Sequence, residues 1–377
     1  MNKSMLRLIP IIWILLLLWD MTACSRTPEE TMVRETSAPE TVSVPAEQTQ
    51  PVPETEPPET VPETTKPQPE EFLLTFAGDC TLGSDRRLYT APSSFVQLVG
   101  EDYGYPFRNV VDWFESDDFT LVNLEGVFAD SGYPVNKTYT FRGPTAFTRI
   151  LTDNSVEAVN LVNNHTRDYG ADGYASTCAA LEDAGVPYVA KDGPLLYRTD
   201  NGLAIGVYGL SYEMQTPPMG EVVAALREMG AEILILSVHW GSEYSYRAHD
   251  PQVKLAHQAI DAGIHIVYGH HPHVLQPIEE YGDGIIYYSL GNFAFGGNHD
   301  PRDLDSAIIR QTVIRQPDGS LELGEHTCVP VSISSQPPYN NFQPTPYPEG
   351  SEEYARVMRK LDGTYEKASL PLQFPAS

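Results

Sequence analysis

The chain has 377 residues, 41% of them hydrophobic, and a formal net charge of −27. Residues 1–24 carry +1 and residues 25–71 carry −8, so the chain from Phe72 onward carries −20. This acidic balance argues against nucleic-acid binding, which requires a basic surface, and against attraction of a polyanion unless bound cations reverse the local field.

The N-terminus has the pattern of an export signal. A short basic region is followed by an apolar run from Leu8 to Trp19, which suits a signal peptide and is short for a membrane span. The run ends at Met21-Thr22-Ala23-Cys24, which resembles a bacterial lipobox whose Cys is lipidated. We predict that residues 1–24 are a lipoprotein signal peptide and that Cys24 anchors the protein to the cell membrane. The alternative is an uncleaved N-terminal anchor, and both place the remainder outside the cytoplasm.

Residues 25–71 are composed mainly of Pro, Glu and Thr, with almost no aliphatic or aromatic residues. Such a segment cannot bury enough apolar surface to offset its ordering entropy, so we predict a disordered tether. Its Pro-rich part favours extended polyproline II, at roughly 3.1 Å per residue. The tether either carries the domain through a cell-wall layer or is filler without a selected length.

The cysteines do not form a disulfide framework. Cys24 is assigned to the anchor, and Cys80, Cys178 and Cys328 are an odd set without CxxC spacing. We expect no disulfide among them and interpret Cys80 as a small buried core residue.

From Phe72 onward, strand patterns alternate with amphipathic helical patterns, which favours an α/β or layered domain. Continuous apolar strands indicate sheets that are covered on both faces. The predicted strands are Phe72–Ala77, Phe119–Leu124, Ala158–Val162, Leu203–Leu210, Ile233–Val238, Ile264–Tyr268 and Ile285–Leu290. The predicted helices are Gly173–Ala184, Glu221–Met229 and Pro251–Ala262.

The pattern changes after Ser306. Ala307–Ile314 and Leu321–Ile333 predict a hairpin that completes a sheet, and Glu352–Leu361 predicts a short helix. We therefore assign residues 72–335 to one domain and residues 336–377 to a C-terminal extension.

Nearly every predicted strand ends at a potential metal ligand. Because the carboxyl ends of strands form the active-site crevice of α/β folds, these side chains are expected to converge. Mixed oxygen and nitrogen donors suit Mn²⁺, Fe or Zn²⁺ better than Ca²⁺ or Mg²⁺ alone. The residues are Asp79, Glu125, Asn164, His165, His239, His271 and His273.

Six ordered motifs carry a family resemblance that covers about Phe72 to Ile333. They are Gly78-Asp79, Asn123-Leu124-Glu125-Gly126, Asn163-Asn164-His165, His239-Trp240-Gly241-Ser242-Glu243-Tyr244, Gly269-His270-His271-Pro272-His273-Val274 and Ser289-Leu290-Gly291-Asn292-Phe293. With these motifs the chain resembles the CapA family, named for capsule and poly-γ-glutamate biosynthesis, which in turn is similar to the calcineurin-like metallophosphoesterases. The resemblance implies a four-layer, metallophosphatase-like αββα sandwich with mixed sheets.

The resemblance also implies residue roles. It makes His165 the general acid, Glu125 a carboxylate shared by two divalent metal ions, and either His270 or His271 a ligand. We prefer His271 together with His273. The implied metal ligands are Asp79, Glu125, Asn164, His239, His271 and His273.

Two departures from the metallophosphoesterase pattern keep a second function open. Asp79 is followed by Cys80 and Thr81, so the His of the Asp-x-His motif is missing, and Asn123 and Glu125 replace two Asp. The first hypothesis is a metal-dependent phosphoesterase-like hydrolase that serves capsule or poly-γ-glutamate synthesis. The second is a non-catalytic subunit that binds or exports that polymer, or another envelope polymer, beside a membrane synthase.

Three polar residues are candidates around the site. Arg142, with Lys137 and Tyr139 nearby, could bind an anionic substrate group or form a surface salt bridge. Asn292 could position substrate or cap a turn. Glu243 could orient a ligand His or be a solvated loop charge, and we favour the latter.

Overall fold

The computed structural model of the protein describes residues 68–370. The predicted signal peptide, Cys24 and nearly all of the tether lie outside these residues, so those predictions are not tested. None of the helices in the described part of the chain is long and apolar enough to cross a membrane.

The strands follow one another along the whole described region. In chain order they are β1 (Glu70–Phe76), β2 (Asp79–Thr81), β3 (Ser84–Asp85), β4 (Phe119–Asn123), β5 (Val127–Phe128), β6 (Phe141–Gly143), β7 (Ala158–Asn160), β8 (Tyr188–Val189), β9 (Leu195–Arg198), β10 (Ala204–Ser211), β11 (Ile233–His239), β12 (Ile266–His270), β13 (Ile278–Tyr281), β14 (Gly284–Tyr287), β15 (Asn292–Phe295), β16 (Asp305–Arg315), β17 (Leu321–Ser332) and β18 (Thr345–Pro346).

The helices are fewer. They are α1 (Phe95–Val99), α2 (Val111–Phe114), α3 (Thr148–Thr152), α4 (Gly170–Ala184), α5 (Met219–Glu228), α6 (Asp250–Ala262) and α7 (Glu352–Leu361), with a 3-10 turn at Thr145–Phe147.

Two mixed sheets form the centre of the domain. The first has the order β18-β17-β16-β1-β4-β7-β8, and the second has the order β13-β14-β12-β11-β10-β9. In the first sheet β1, β4, β7 and β8 are parallel, whereas β16, β17 and β18 are antiparallel to their neighbours. In the second sheet β10, β11, β12 and β14 are parallel, and β9 and β13 are antiparallel edge strands.

Alternating side chains on these strands pack into separate cores, as the period of two in a β-strand requires. Ile233 and Ile235 of β11 pack with Leu74 and Phe76 of β1 in a core between the two sheets. Leu234, the intervening residue, packs into a core under α5 and α6. Each strand of this kind is therefore apolar throughout, because both of its faces are covered.

The outer face of the first sheet is covered in the same way. Val122 of β4 packs in a core with Phe95 of α1, Ile150 of α3 and Leu181 of α4. The layers are therefore helices, first sheet, second sheet and helices. This arrangement confirms the predicted αββα sandwich with mixed sheets.

The predicted long elements are present, with ends shifted by a few residues. The hairpin predicted after Ser306 is the antiparallel pair β16 and β17. The predicted helix at Glu352–Leu361 is α7. The described part of the C-terminal extension packs onto the domain, because β18 extends the first sheet and α7 contributes Val357 and Leu361 to the core between the sheets.

Candidate metal centre

The parallel strands of both sheets end at one place. Asp79 follows β1, Glu125 follows β4, and His239 is the last residue of β11. His271 and His273 lie just beyond β12. The predicted convergence of residues far apart in the sequence is therefore what the structure shows.

The first ligand group consists of Glu125, His239 and His271, whose donor atoms all lie within 4.8 Å of one another. His239 Nε2 lies 3.6 Å from Glu125 Oε1. The rings of His239 and His271 have centroids 4.7 Å apart.

The second ligand group consists of Asp79, Glu125 and His273, with the same spacing of donor atoms. His273 Nδ1 lies 3.5 Å from Asp79 Oδ2 and 3.9 Å from Glu125 Oε2. Glu125 thus belongs to both groups and directs a different oxygen toward each. This is the geometry that a carboxylate shared by two ions requires.

The donor atoms at this place lack hydrogen-bond partners within the described chain. Both carboxylate oxygens of Glu125, both ring nitrogens of His239, Nδ1 of His271 and the amide oxygen of Asn164 are buried and unpartnered. Buried polar atoms without partners are uncommon in proteins because they cost free energy. Carboxylate, amide and imidazole donors together suit divalent transition-metal ions, so these residues fit a metal pair.

The pKa shifts of the ligand residues also fit metal binding. Burial, together with the charge of Asp79, raises the pKa of Glu125 well above its ordinary value, which a bound cation would reverse. Burial lowers the pKa of His239 well below its ordinary value and lowers that of His271 to about 3. Both histidines are therefore neutral near pH 7, which is the form that binds metal.

Asp79 is fixed by hydrogen bonds before any ion binds. Asn123 Nδ2 donates to Asp79 Oδ1 at 2.9 Å, and the backbone N–H of His271 donates to Oδ2 at 3.2 Å. Burial by itself raises the pKa of Asp79, but a hydrogen bond from His270 and the charges of His270 and His273 outweigh it, so the pKa is lowered. Asp79 is therefore charged.

His270, the other candidate in the Gly-His-x-His motif, has a different environment. Its Nε2 lies 3.1 Å from Ser237 Oγ, and its Nδ1 lies 3.4 Å from Asp79 Oδ1. Among the described His, Cys, Asp and Glu residues, the clusters of metal-binding geometry contain His271 and His273 and omit His270. The geometry favours His271 over His270 as the ligand, in line with the sequence-based preference.

His165 lies beside the ligands and is held by a carboxylate that the sequence analysis did not identify. Its Nδ1 contacts Asp168 Oδ2 at 2.6 Å, which leaves Nε2 as the nitrogen available for proton transfer. Lys137 Nζ donates to Asp168 Oδ1 at 3.2 Å and to the Asn164 carbonyl oxygen at 2.8 Å. Asp168 lies three residues after His165 in the sequence. This spacing predicts contact between the two side chains only if the conformation of the turn between them is known.

The backbone at the site is strained. Tyr244, His271 and His273 have φ values of 62°, 94° and 55°, in the left-handed region that non-glycine residues rarely occupy. The turn between β1 and β2 also requires glycine at position 78, because a Cβ on Gly78 would lie 2.4 Å from the Gly291 carbonyl oxygen. Strain of this kind persists where the surrounding structure fixes a functional geometry.

A cleft of about 260 Å³ opens beside the second ligand group, and His165, His273 and Asn292 are among the residues that line it. Asn292 Oδ1 lies 2.9 Å from His273 Nδ1, so Asn292 is placed to orient a ligand or a substrate. Arg142 does not line this cleft: its guanidinium lies over the rings of Tyr89 and Tyr169, at 4.6 and 5.1 Å from their centroids. The structure thus does not bring Arg142 to the candidate centre.

Two further residues border the centre. Glu243 is exposed, yet its carboxylate lies within 4.8 Å of the nitrogens of His271 and His273. Its side chain is thus exposed to solvent and close to the two histidines. Tyr212, which sequence reasoning missed, follows β10 and is 54% exposed, and its ring lies 5.1 Å from that of His271.

Cys80 lies next to Asp79 but faces the core. It is completely buried, and burial raises the pKa of its thiol to about 12. Such a thiol stays protonated and is a poor metal ligand. Within residues 68–370, Cys80, Cys178 and Cys328 form no disulfide with one another.

Comparison with solved structures finds distant similarity. A NAD nucleotidase from Haemophilus influenzae is 12% identical, with a TM-score of 0.41 over 78% of this chain and 63% of that one. A purple acid phosphatase from yellow lupin is 11% identical, with a TM-score of 0.32 over 69% of this chain and 53% of that one.

Sequence comparison identifies the family. The capsule biosynthesis protein CapA of Bacillus anthracis is 28% identical over 270 residues, which cover 64% of this chain and 64% of that relative. The PGA biosynthesis protein CapA of Bacillus subtilis is 27% identical over 312 residues, or 76% of each chain. The model of the bacterial capsule synthesis protein family PGA_cap matches residues 73–297, more than half of the chain. The chain therefore belongs to the bacterial capsule synthesis protein family PGA_cap.

Proposed function

We propose that this protein is a metal-dependent hydrolase that acts on a phosphoester or a related bond during synthesis of a capsule polymer such as poly-γ-glutamate. The observation that carries the proposal is the buried Glu125 carboxylate, which has no hydrogen-bond partner among residues 68–370 and is shared by two ligand groups. A structural role gives no reason to bury an unpartnered carboxylate among histidines, because such burial is costly.

The metal ions of the proposed centre would be held by residues from both sheets. A bound pair of divalent ions, Mn²⁺, Zn²⁺ or Fe, would stabilise charge on the attacking and leaving oxygens. Glu125 holds the two positions together, with His239 and His271 on one side and Asp79 and His273 on the other.

Proton transfer belongs to His165 in this proposal. Asp168 fixes the ring through Nδ1 at 2.6 Å, so that Nε2 can deliver a proton to a leaving oxygen in the cleft. Burial lowers the pKa of His165, although Asp168 opposes this effect by favouring the charged ring. Asp168 thus supports the protonated form that a general acid requires.

The proposed biological role is supported by the family and by the N-terminal sequence. Relatives bear the names capsule biosynthesis protein and PGA biosynthesis protein. The proposed location is the outer side of the cell membrane, where Cys24 carries the lipid and residues 25–71 form the tether. There the domain would act beside a membrane synthase on the growing or exported polymer.

A non-catalytic polymer-binding or export subunit is the second candidate. The observation that favours it is Thr81, a fully buried residue that stands where the Asp-x-His motif has its His and that offers no imidazole to a metal ion. In that case the centre would hold metal for binding or structure and would not turn over substrate.

Turnover of a phosphoester separates the two functions. The full chain in detergent, loaded with Mn²⁺ or Zn²⁺, is expected to hydrolyse a generic aryl phosphoester, and His165→Gln should lower kcat by about 10²- to 10⁴-fold with metal still bound. The matched control is His257→Gln, since His257 lies on α6 and pairs with Glu279 away from the centre. No hydrolysis of any phosphoester, together with retention of the polymer, would support the binding subunit instead.

The anchor has its own test. Cells that express the full chain are expected to incorporate labelled fatty acid into it, and Cys24→Ala should abolish the label. Cys178→Ala is the matched control. Label that persists in Cys24→Ala would contradict lipidation at Cys24.

A further inference from the structure

The cleft beside the metal centre contains two arginines in a domain that is otherwise strongly acidic. Arg87 and Arg302 line it together with His165, His273 and Asn292. Neither was singled out by the sequence, because they are far apart along the chain and lie in loops. Their presence beside the metal ligands suggests an anionic ligand.

Arg302 is unpaired among the residues that the structure describes. Its Nη1 is buried and without a hydrogen-bond partner, and no carboxylate of the described chain forms an ion pair with it. Its guanidinium lies over the ring of Tyr244, 5.6 Å from the centroid. A guanidinium that stacks on a ring through its face keeps its edge donors free for a bidentate oxyanion.

The acidic residues of the same cleft do not neutralise Arg302. Asp303, its neighbour, accepts from Lys360 Nζ at 2.6 Å and from the Tyr246 hydroxyl at 2.8 Å. Glu243 lies beside the nitrogens of His271 and His273. Asp303 is thus paired elsewhere, and neither carboxylate that lines the cleft forms an ion pair with Arg302.

Arg87 is a weaker partner for an anion. Its Nε donates to Asp85 Oδ1 at 2.6 Å, and its side chain is 52% exposed. Its guanidinium lies 4.8 Å from the centroid of the Tyr139 ring, which also lines the cleft. Arg87 can therefore offer a second hydrogen-bond donor at the mouth of the cleft, although its Nε already donates to Asp85.

We propose that Arg302, assisted by Arg87, binds an oxyanion of the ligand, a carboxylate or a phosphate, while the metal centre holds the group next to it. This inference rests on the proposed function and adds the part of the site that recognises an anionic chain. It also gives so acidic a domain a way to admit a polyanion, because bound metal ions and Arg302 would supply positive charge where the polymer meets the cleft.

Equilibrium binding tests the inference without requiring turnover. The full chain with Mn²⁺ is titrated by calorimetry with a short γ-linked glutamate oligomer, with the same oligomer as its neutral methyl ester, and with inorganic phosphate. The native chain is expected to bind at least one of the two anions and not the ester. Arg302→Gln is expected to weaken that binding by about 10- to 100-fold, as loss of a charge-assisted bidentate contact implies.

Two variants keep the result interpretable. Arg86→Gln is the control, since Arg86 precedes Arg87, is exposed and does not line the cleft. The variant removes one positive charge and should change the affinity less than twofold, roughly the effect of a charge at the rim of a binding site. Arg302→Lys keeps the charge but loses the planar fork, and should bind with intermediate affinity; it also replaces Arg302→Gln if that variant does not fold.

The two anions distinguish the source of the oxyanion. Loss restricted to the glutamate oligomer assigns the carboxylate of a polymer, and loss restricted to phosphate assigns a phosphate group. Native-like affinity of Arg302→Gln for both anions, an equal loss in Arg86→Gln, or no binding of either anion by the native chain would overturn the inference. Hydrolysis by the native chain decides the proposed function separately, so the two can fail independently.

Discussion

Asp168 and His165 form a buried pair in which a carboxylate holds one ring nitrogen and leaves the other to the cleft. Asp168 also accepts from the backbone N–H of Phe141 at 2.7 Å, and the ring of Phe141 packs against that of His165 with centroids 4.4 Å apart. The imidazole is therefore held from its edge and from its face. Asp168 is a positioning residue, since it acts on the reaction through His165.

Replacement of that carboxylate should slow the reaction without emptying the centre. For Asp168→Asn we expect kcat to fall about tenfold or more, a part of the 10²- to 10⁴-fold that a general acid contributes. Metal content and KM should change little, because Asp168 is not among the clustered ligand donors. Steady-state kinetics with metal analysis checks this.

The control for this variant is Asp172→Asn, which alters an exposed carboxylate in the first turn of α4. A kcat equal to that of the native chain would contradict the assignment of Asp168. A loss of metal in proportion to the loss of rate would show that the residue serves the centre and not His165.

At the scale of single residues, sequence predicted most of the residues that the structure brings together in the two ligand groups, but not the residues that support them. Asp79, Glu125, His239 and His271 were predictable because each follows an apolar strand, where ligands collect in α/β folds. Asp168 could not be found this way, because its role depends on how a loop turns back onto His165. Arg142 was predicted to bind substrate, but it neighbours Phe141 on a strand, so its side chain faces away from the ring that packs on His165.

The C-terminal helix α7 is fixed to the domain by a buried lysine. Lys360 is 2% exposed, and its Nζ donates to Asp303 at 2.6 Å and to Asp305 at 2.7 Å. Arg356 of the same helix donates to both oxygens of Asp305 at 2.7 Å. Since Asp303 follows Arg302, this cluster ties α7 to the loop that lines the cleft.

Removal of the lysine charge should destabilise the whole domain. Lys360→Met leaves two buried carboxylates short of a cation, and breaking a buried pair costs about 3–5 kcal/mol. Thermal and urea unfolding are expected to show this loss. Addition of Asp303→Asn to the variant should recover part of it, because one uncompensated charge is removed.

Arg359→Met, at an exposed position of α7, serves as the control and should be near neutral. Equal stability of Lys360→Met and Arg359→Met would contradict a structural role for the buried lysine.

A second pair of acidic residues links the strands at the opposite end of the first sheet from the ligands. Glu157 accepts the backbone N–H of Thr120 at 2.6 Å, and Asp117 accepts the Thr120 hydroxyl at 2.7 Å. Burial, with a contribution from Asp117, raises the pKa of Glu157 to about 7. Burial raises the pKa of Asp117 to about 6.

These raised pKa values predict a loss of stability with rising pH. A carboxyl whose folded pKa exceeds its unfolded value stabilises the fold below the unfolded pKa, and the effect is lost as pH rises through the folded pKa. Between about pH 4.5 and pH 7.5 the free energy of unfolding should therefore fall, with Glu157 contributing about 1 kcal/mol after allowance for solvent screening.

Glu157→Gln should flatten this dependence, since the amide cannot ionise. Chemical unfolding of the native chain and the variant across that range checks the expectation, and Glu182→Gln on α4 is the control. If the free energies of unfolding of the native chain and Glu157→Gln differ at low pH and become equal at high pH, ionisation of Glu157 does not destabilise the fold.

At the scale of elements, the long strands and helices were predicted and the short ones were not. The strands β10, β11 and β16 have long apolar runs, and α6 begins next to Pro251, as helices often do. In contrast, α1, α2 and α3 have only four or five residues each. Too few turns show a period in helices this short, and tertiary packing decides their conformation.

The two sheets, viewed together, bring ligands from both halves of the domain to one place. Asp79 and Glu125 come from the ends of strands in the first sheet, whereas His239, His271 and His273 come from the second. The sandwich must therefore be assembled before the centre exists. Folding and metal binding are linked for this reason.

Linkage of this kind predicts that metal stabilises the whole molecule. Ions that bind only the folded chain add about 2.7 kcal/mol at a concentration one hundred times Kd. We expect Mn²⁺ or Zn²⁺ to raise the Tm of the chelator-treated protein, and Ca²⁺ to raise it less because the site contains several nitrogens.

Glu125→Gln is the informative variant in that experiment. It removes a buried, unpartnered carboxylate, so without metal it should be as stable as the native chain or more stable. With metal it should gain less than the native chain. A larger gain in the variant would contradict the shared role of Glu125.

The most direct test of the account is the metal content of the full chain, purified in detergent, loaded with Mn²⁺ or Zn²⁺ and freed of loosely bound ions. The proposed two-metal centre requires about two ions per chain, because two ligand groups share Glu125, and it predicts a loss of metal in Glu125→Gln with no loss in His257→Gln. A native chain that retains no metal, or a Glu125→Gln variant that retains as much as the native chain, would contradict it.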